Sequence, residues 1–322
     1  MSYRVQPPAE LVQALRQAQR VAMVTHLNPD GDGLGAESAL ALALESLGKQ
    51  VHIFNNDATP AQYAFLGLEE RRVQALPPVN LVVALDCPVL ERLGAAGKTA
   101  FGAAPASVVI DHHVPKEAFG QHTWISTECC ATGEMMEPLI AALGVTLSAA
   151  MATALYAALV NDTGCFHHSN TDQWVFECAS RLLKAGADSA GVNRRLLDEK
   201  PLGMVRLQAH VLDRLTVIAG GKAALVAVGV EDLKAFNAGW EDTDGLAEGL
   251  RSIAGVEVSA MLREEGPAKA KLSLRSKYAF DVNVFAGQWG GGGHAKAAGA
   301  TIPLPLPQAV AAVAAALEKA LA

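Results

Sequence analysis

Apolar positions along this chain follow two rhythms. From Val21 to about Lys184, short β-rich runs alternate with longer stretches of helical spacing. The runs 21–25, 51–55, 81–85 and 107–110 predict strands, and 34–48, 133–143, 148–160 and 172–185 predict helices. Alternation of this kind favours a parallel sheet with helices on both faces. After Gly186 the pattern breaks at Gly191, Pro201 and Gly203, and a helix over 205–215 is expected to continue as a connector. A second β-rich rhythm covers 215–219, 223–230, 256–263 and 269–275, then a glycine run at 290–293 and an Ala-rich helix over 307–321. The predicted class is α/β: an N-terminal parallel-sheet domain (1–188), a connector (189–212) and a smaller C-terminal α/β domain (213–322).

Composition narrows the partners. The 322 residues are 51 % apolar and 18 % charged, enough apolar surface for two cores and too little charge for a disordered chain. A net charge of −7 argues against broad electrostatic capture of duplex DNA, though not against a short anion held locally. The five cysteines (Cys87, Cys129, Cys130, Cys165 and Cys178) lack C-x-x-C spacing, which disfavours structural zinc and disulfides and fits a reducing cytoplasm. Residues 1–15 show no cationic segment followed by an apolar core, and no apolar run is long enough for a membrane span.

Chemistry concentrates where the predicted strands end. After the run at 21–24 comes Thr25-His26-Leu27-Asn28-Pro29-Asp30-Gly31-Asp32-Gly33-Leu34-Gly35; 81–85 ends in Asp86, and 108–110 ends in Asp111-His112-His113. Asp162 follows an apolar helix in Asn161-Asp162-Thr163-Gly164. Open α/β sheets place ligand sites at such an edge. Asp32 alone reads first as a helix N-cap, whereas His113 reads as a donor to a phosphoryl oxygen or leaving group, with a hydrogen-bonded neighbour of His112 as the alternative. Taken jointly, Asp30, Asp32, Asp86 and Asp162 bring four negative charges together, which two divalent cations would balance. Mixed imidazole and carboxylate donors suit Mn²⁺ best, and also accommodate Mg²⁺, Fe²⁺ or Co²⁺. Ions about 3.5–4 Å apart are the usual device for activating water against phosphorus.

These residues resemble the four motifs of the DHH phosphoesterase superfamily over 20–185. The resemblance implies one Mn²⁺ on His26, Asp30 and Asp86 and a second on Asp32, Asp86, His112 and Asp162. It implies that Asp86 bridges the ions, that Asp111 orients the imidazoles, and that His113 faces the substrate phosphate and assists catalysis.

The C-terminal pattern adds a second set. Lys271-Leu272-Ser273-Leu274-Arg275-Ser276 reads as a strand delivering Arg275 and Ser276, and Asp281 suits the cap of a helix over 282–288. Gly290, Gly291, Gly292 and Gly293, followed by His294, offer close backbone approach and N–H groups for a phosphate. Over 215–305 this resembles the DHHA1 domain, whose Gly-Gly-Gly-His motif grips the nucleotide end of the substrate. Arg275, Ser276, Gly291, Gly292, Gly293, His294 and His113 are the implied substrate contacts.

Both domains together resemble the nanoRNase and 3′-phosphoadenosine-5′-phosphate phosphatase branch. Its implied substrates are short single-stranded RNA or DNA oligonucleotides, dinucleotides and the nucleotide bisphosphate, with no membrane partner. Relatives are often homodimers; the sequence leaves the oligomeric state open. Two alternatives stand beside this reading: a signalling phosphodiesterase for cyclic di-AMP, pApA or pGpG, and a non-catalytic nucleotide sensor. The cysteines read as packing residues, Phe166 as core packing ahead of a stacking wall, and His167-His168 as either a surface turn or a base or phosphate contact.

Overall fold

Two sheets organise the chain, one in each of two compact units, Met1–Glu199 and Lys200–Ala322. The computed structural model describes residues 2–114 and 119–322. In the first unit, β1 (Arg20–Val24), β2 (Gln50–Ile53), β3 (Leu81–Leu85), β4 (Ser107–Asp111) and β5 (His122–Ile125) run parallel in the order β2-β1-β3-β4-β5. Every residue of β3 and β4 is buried, which explains their unbroken apolar character: a parallel sheet is covered on both faces.

The two faces bury different residues. Val21, Met23, Leu81, Val83, Leu85, Val108 and Ile110 pack in one core with the helices Gly31–Ser46, Thr132–Ala142, Ala149–Asp162 and Gln173–Lys184. Ala22, Val24, Val82, Ala84 and Val109 pack in the other with Ala100 of the helix Gly94–Ala103. β5 escaped the pattern reading because it is a short edge strand with a single buried side chain, Trp124.

In the second unit, β6 (Thr216–Ile218), β7 (Ala223–Val228), β8 (Val258–Gly266), β9 (Lys269–Ser276), β10 (Gly292–His294) and β11 (Ala297–Ile302) form a mixed sheet ordered β10-β11-β9-β8-β7-β6. Only β7 and β8 pair in parallel. Ala270, Leu272 and Leu274 alternate inward to a core shared with the helix Leu306–Leu321. On the opposite face Val226, Val228 and Met261 pack with Leu207 and Val211 of the helix Leu202–Asp213, whereas Arg263, Lys271, Ser273 and Arg275 stay partly exposed. β10 and β11 were not predicted as strands. Their Gly and Ala content carries little β-propensity, and pairing to β9 imposes the conformation.

Candidate metal centre

The C-terminal ends of β1, β2 and β3 are tied together before any functional side chain begins. Thr25, just past β1, donates its N–H to Asn55 Oδ1 (2.9 Å) and its hydroxyl to the Leu85 carbonyl (2.9 Å). Asn55 in turn donates to Glu37 Oε2 at 2.7 Å. His26 follows this brace, with Nδ1 against the Leu27 carbonyl (2.8 Å) and Arg92 Nη2 (3.2 Å), so Nε2 points to the cluster. Nε2 lies 3.7 Å from Asp30 Oδ1 and 3.4 Å from Asp86 Oδ2.

Asp30 and Asp32 divide two jobs. Asp30, not Asp32, is the N-cap of the helix Gly31–Ser46, accepting from the N–H groups of Asp32 (3.0 Å) and Gly33 (3.4 Å). Asp32 is fully buried and accepts from Thr132 N (2.7 Å) and Gly133 N (2.8 Å), at the start of the helix Thr132–Ala142. Gly133 is required there: a Cβ would press on Ala158 and sit 3.4 Å from Asp32 Oδ1. Sequence reading noted this helix start but not that it would hold an aspartate from a strand end. Two polar partners, Arg92 and Asn55, also went unnoticed, because neither lies in a recognisable motif.

Asp86 takes a left-handed backbone conformation (φ 54°) directly after β3. Such strain costs about 1–3 kcal/mol and persists where surrounding structure dictates it. Here it turns the buried carboxylate among three imidazoles: His26, His112 (Nε2 to Oδ1, 3.6 Å) and His113 (Nδ1 to Oδ1, 3.3 Å). Thr132 Oγ1 adds a donor at 3.4 Å. His112 Nε2 also faces Asp32 Oδ2 at 3.6 Å and Asp162 Oδ2 at 3.0 Å. Asp162 ends the helix Ala149–Asp162, and Asn161 holds its Oδ1 at 2.9 Å. Asp111, fully buried at the end of β4, accepts from His113 Nδ1 at 2.9 Å. It makes no such bond to His112, whose Nδ1 rests against the Cys129 carbonyl at 3.3 Å.

Charge in this cluster is frustrated. Burial raises the carboxyl of Asp32 well above its ordinary range, and the nearby Asp86 and Asp162 push it further. Burial raises Asp162 too, against the pull of His112. For Asp86 burial also raises, but His113 and His26 outweigh it and hold the carboxyl well below its usual range. Burial works against the imidazolium of each histidine, yet Asp30 and Asp86 bring His26 up to about 10, Asp162 brings His112 to about 9, and Asp111 and Asp86 bring His113 to about 10.

The donor atoms fit divalent cations. Three overlapping groups, His26/Asp30/Asp86, Asp32/His112/Asp162 and Asp86/His112/His113, each place one ligand atom per residue within 4.8 Å of the others. His112 Nε2 is buried and makes no aligned hydrogen bond among the described residues, although carboxylate oxygens surround it. An imidazole lone pair directed into a ring of carboxylates is what a metal ligand requires. Phe166 packs between Tyr156 and Phe176, and His167 and His168 are exposed on the turn that follows Asp162. Burial pushes the thiols of Cys87 and Cys129 up to about 12, as suits packing residues.

In the second unit, register aligns His294, Ala297 and Arg275 across β10, β11 and β9. Arg275 donates Nε to Glu248 Oε1 (2.5 Å) and Nη1 to the Leu274 carbonyl (2.9 Å). Ser276, the next residue in the strand, points to the other face; it is buried and donates to the Ala295 carbonyl at 3.2 Å. The glycine run is built into the sheet instead of forming an open loop. Gly290 and Gly291 spend their N–H groups on Gly287 and Ala286, and a Cβ on Gly291 would collide with the Gly299 carbonyl. Gly292, Gly293 and His294 form the exposed edge strand β10. Asp281 caps the helix Val282–Ala286 as its sequence predicts.

Comparison with known proteins places both units. Residues 20–159 match the DHH family, N-terminal domain, and 218–322 match the DHHA1 domain. The chain is 34 % identical over 292 residues to the bifunctional oligoribonuclease and PAP phosphatase NrnA of Thermus thermophilus, covering 89 % of this chain and 84 % of that protein. It is 25 % identical to the protein of the same name in Bacillus subtilis, over 88 % of this chain and 90 % of the other. An exopolyphosphatase-related protein from Bacteroides fragilis superposes with a TM-score of 0.92 at 25 % identity, over 99 % of this chain and 98 % of its own.

Proposed function

The chain belongs to the DHH/DHHA1 phosphoesterase family, in its nanoRNase branch, and from that premise we propose that it hydrolyses short oligonucleotides and dinucleotides to mononucleotides and removes the 3′-phosphate of 3′-phosphoadenosine-5′-phosphate. One observation carries the reading: three imidazoles and four carboxylates converge at the strand ends in overlapping donor sets. Catalysis is assigned to 1–188 and substrate binding to 213–322, with 189–212 joining them.

His26, Asp30 and Asp86 would hold one divalent ion, and Asp32, Asp86, His112 and Asp162 a second, Mn²⁺ being the best match to the donors. Bound there, such ions supply an activated water and neutralise charge on phosphoryl oxygens. The protein's own residues do the rest. Backbone N–H groups of Thr132 and Gly133 fix the Asp32 carboxylate, so its position does not depend on the ions. Asp111 and Asp86 face His113 Nδ1 and orient the ring, whose part is to donate a proton to a phosphoryl oxygen or to the departing sugar oxygen. Arg275, Gly291, Gly292, Gly293 and His294 hold the nucleotide, while Ser276 contributes by fixing the Ala295 carbonyl beside them.

Incubation of the protein with pApA, and separately with 3′-phosphoadenosine-5′-phosphate, tests the proposal. Both should yield AMP with Mn²⁺ present, and a chelator should abolish the yield. Failure of Mn²⁺-loaded protein to cleave either compound would overturn it.

A further inference from the structure

The sheet face that carries Arg275 continues into a cavity of about 270 Å³ in the second unit. Arg263, Lys271, Ser273 and Arg275 line it from β8 and β9, and Asp244 and Glu248 line it from the adjoining segments. Lys271 stands opposite Arg263 in register, and Ser273 and Arg275 follow on the same face. The walls thus present three cations against two carboxylates, one of which, Glu248, is already engaged with Arg275. Among the described residues, Arg263 and Lys271 have no ion pair and no side-chain hydrogen bond, and neither does the Ser273 hydroxyl. Arg263 instead lies over the Trp240 ring, 5.7 Å from its centroid, which holds the guanidinium in place without neutralising it.

Asp244 acts on Arg263 only through space, with no ion pair between them among the described residues, so the two half-buried cations facing this cavity are only partly compensated and call for an anion. An arginine fork, an ammonium and a hydroxyl together offer the donors that phosphate oxygens accept. The volume lies just below the range of about 300–1,000 Å³ typical of small-molecule sites, which suits the end group of a nucleotide and not a long strand.

We propose that Arg263, Lys271 and Ser273 form a phosphate subsite that recognises a terminal phosphate of the nucleotide substrate, beyond the contacts assigned to Arg275 and the glycine strand. This inference rests on the proposed function, which supplies a nucleotide as the ligand. The subsite makes the protein select dinucleotides that bear a 5′-phosphate over those that lack it.

The test compares pApA with ApA, which differ only in that phosphate, for the wild-type chain and for Lys271→Gln and Arg263→Gln. Calorimetric binding in the presence of a chelator and kcat/KM with Mn²⁺ are both measured. The wild type should favour pApA about 10-fold or more, and each substitution should cut that preference several-fold while flattening its salt dependence. Hydrolysis of both dinucleotides with a ratio that is the same in all three proteins overturns the subsite and leaves the function standing. Preferential pApA binding that the substitutions erase, without any hydrolysis, supports the subsite and overturns the function. Circular dichroism and thermal unfolding of each variant confirm that a lost preference is not lost folding.

Discussion

The two sheets of this molecule expose their chemistry in different places. β1 to β5 run parallel beneath helices on both faces, so polar groups emerge only where the strands stop. In the second sheet β8, β9, β11 and β10 are antiparallel neighbours, and one face is left partly open for Arg263, Lys271 and Arg275. The difference is also one of rigidity. Asp32 is buried and fixed by backbone N–H groups and Asp86 by a strained φ, whereas the cations on the open face stand on long side chains. A rigid acidic centre suits reacting atoms, and a partly open cationic face suits holding an anion.

Substitutions should therefore separate by region. The largest effect is expected of Asp86→Asn, which removes the carboxylate shared by all three imidazoles: turnover should fall by about 10³-fold or more, with Mn²⁺ binding weakened in calorimetry. Retained turnover would break the assignment of chemistry to the strand ends. His113→Ala comes next. It should lose about 10²–10⁴-fold in kcat while Mn²⁺ binding survives, because His113 is not among the residues assigned to hold the ions.

Stability sharpens the contrast further. Gly133→Ala places a methyl group against Ala158 and Asp32, and should cost about 1–3 kcal/mol in urea unfolding together with part of the activity. Gly249, by contrast, has open space around it, and Gly249→Ala should leave stability almost unchanged. A pH-dependent effect concerns Glu37, buried beneath the Thr25–Asn55 brace with Oε1 lacking any partner among the described residues. Burial pushes its carboxyl from 4.5 up to about 8, so the fold prefers the neutral form. Its contribution is fully present below about pH 4.5 and is lost as pH rises through about 8. Unfolding of wild type and Glu37→Gln across that window should show the variant gaining relative stability as pH rises; a constant difference would contradict the buried-acid reading.

Much of the first unit was legible because its strands are buried on both faces and end abruptly in ligand-type residues. Val82-Val83-Ala84-Leu85-Asp86 needs little interpretation when an apolar strand stops at a lone aspartate. What stayed hidden is contact between distant segments. That Asp32 accepts from Thr132 and Gly133, that His112 leans on the Cys129 carbonyl, and that Arg92 reaches His26 are consequences of packing, with no local signature. In the second unit the glycine run read only as a place of close backbone approach, since nothing in Gly-Gly-His announces an edge strand until β11 pairs with it. Arg275 and Ser276 were read as a pair, whereas strand alternation sends them to opposite faces.

The division between a reacting edge and a binding face is tested most directly by steady-state kinetics of Arg275→Ala on pApA with saturating Mn²⁺, kcat and KM being determined separately. Because Arg275 is assigned to holding the nucleotide, KM should rise by about 10-fold or more with kcat within a factor of about two. A large loss of kcat at unchanged KM would contradict the account.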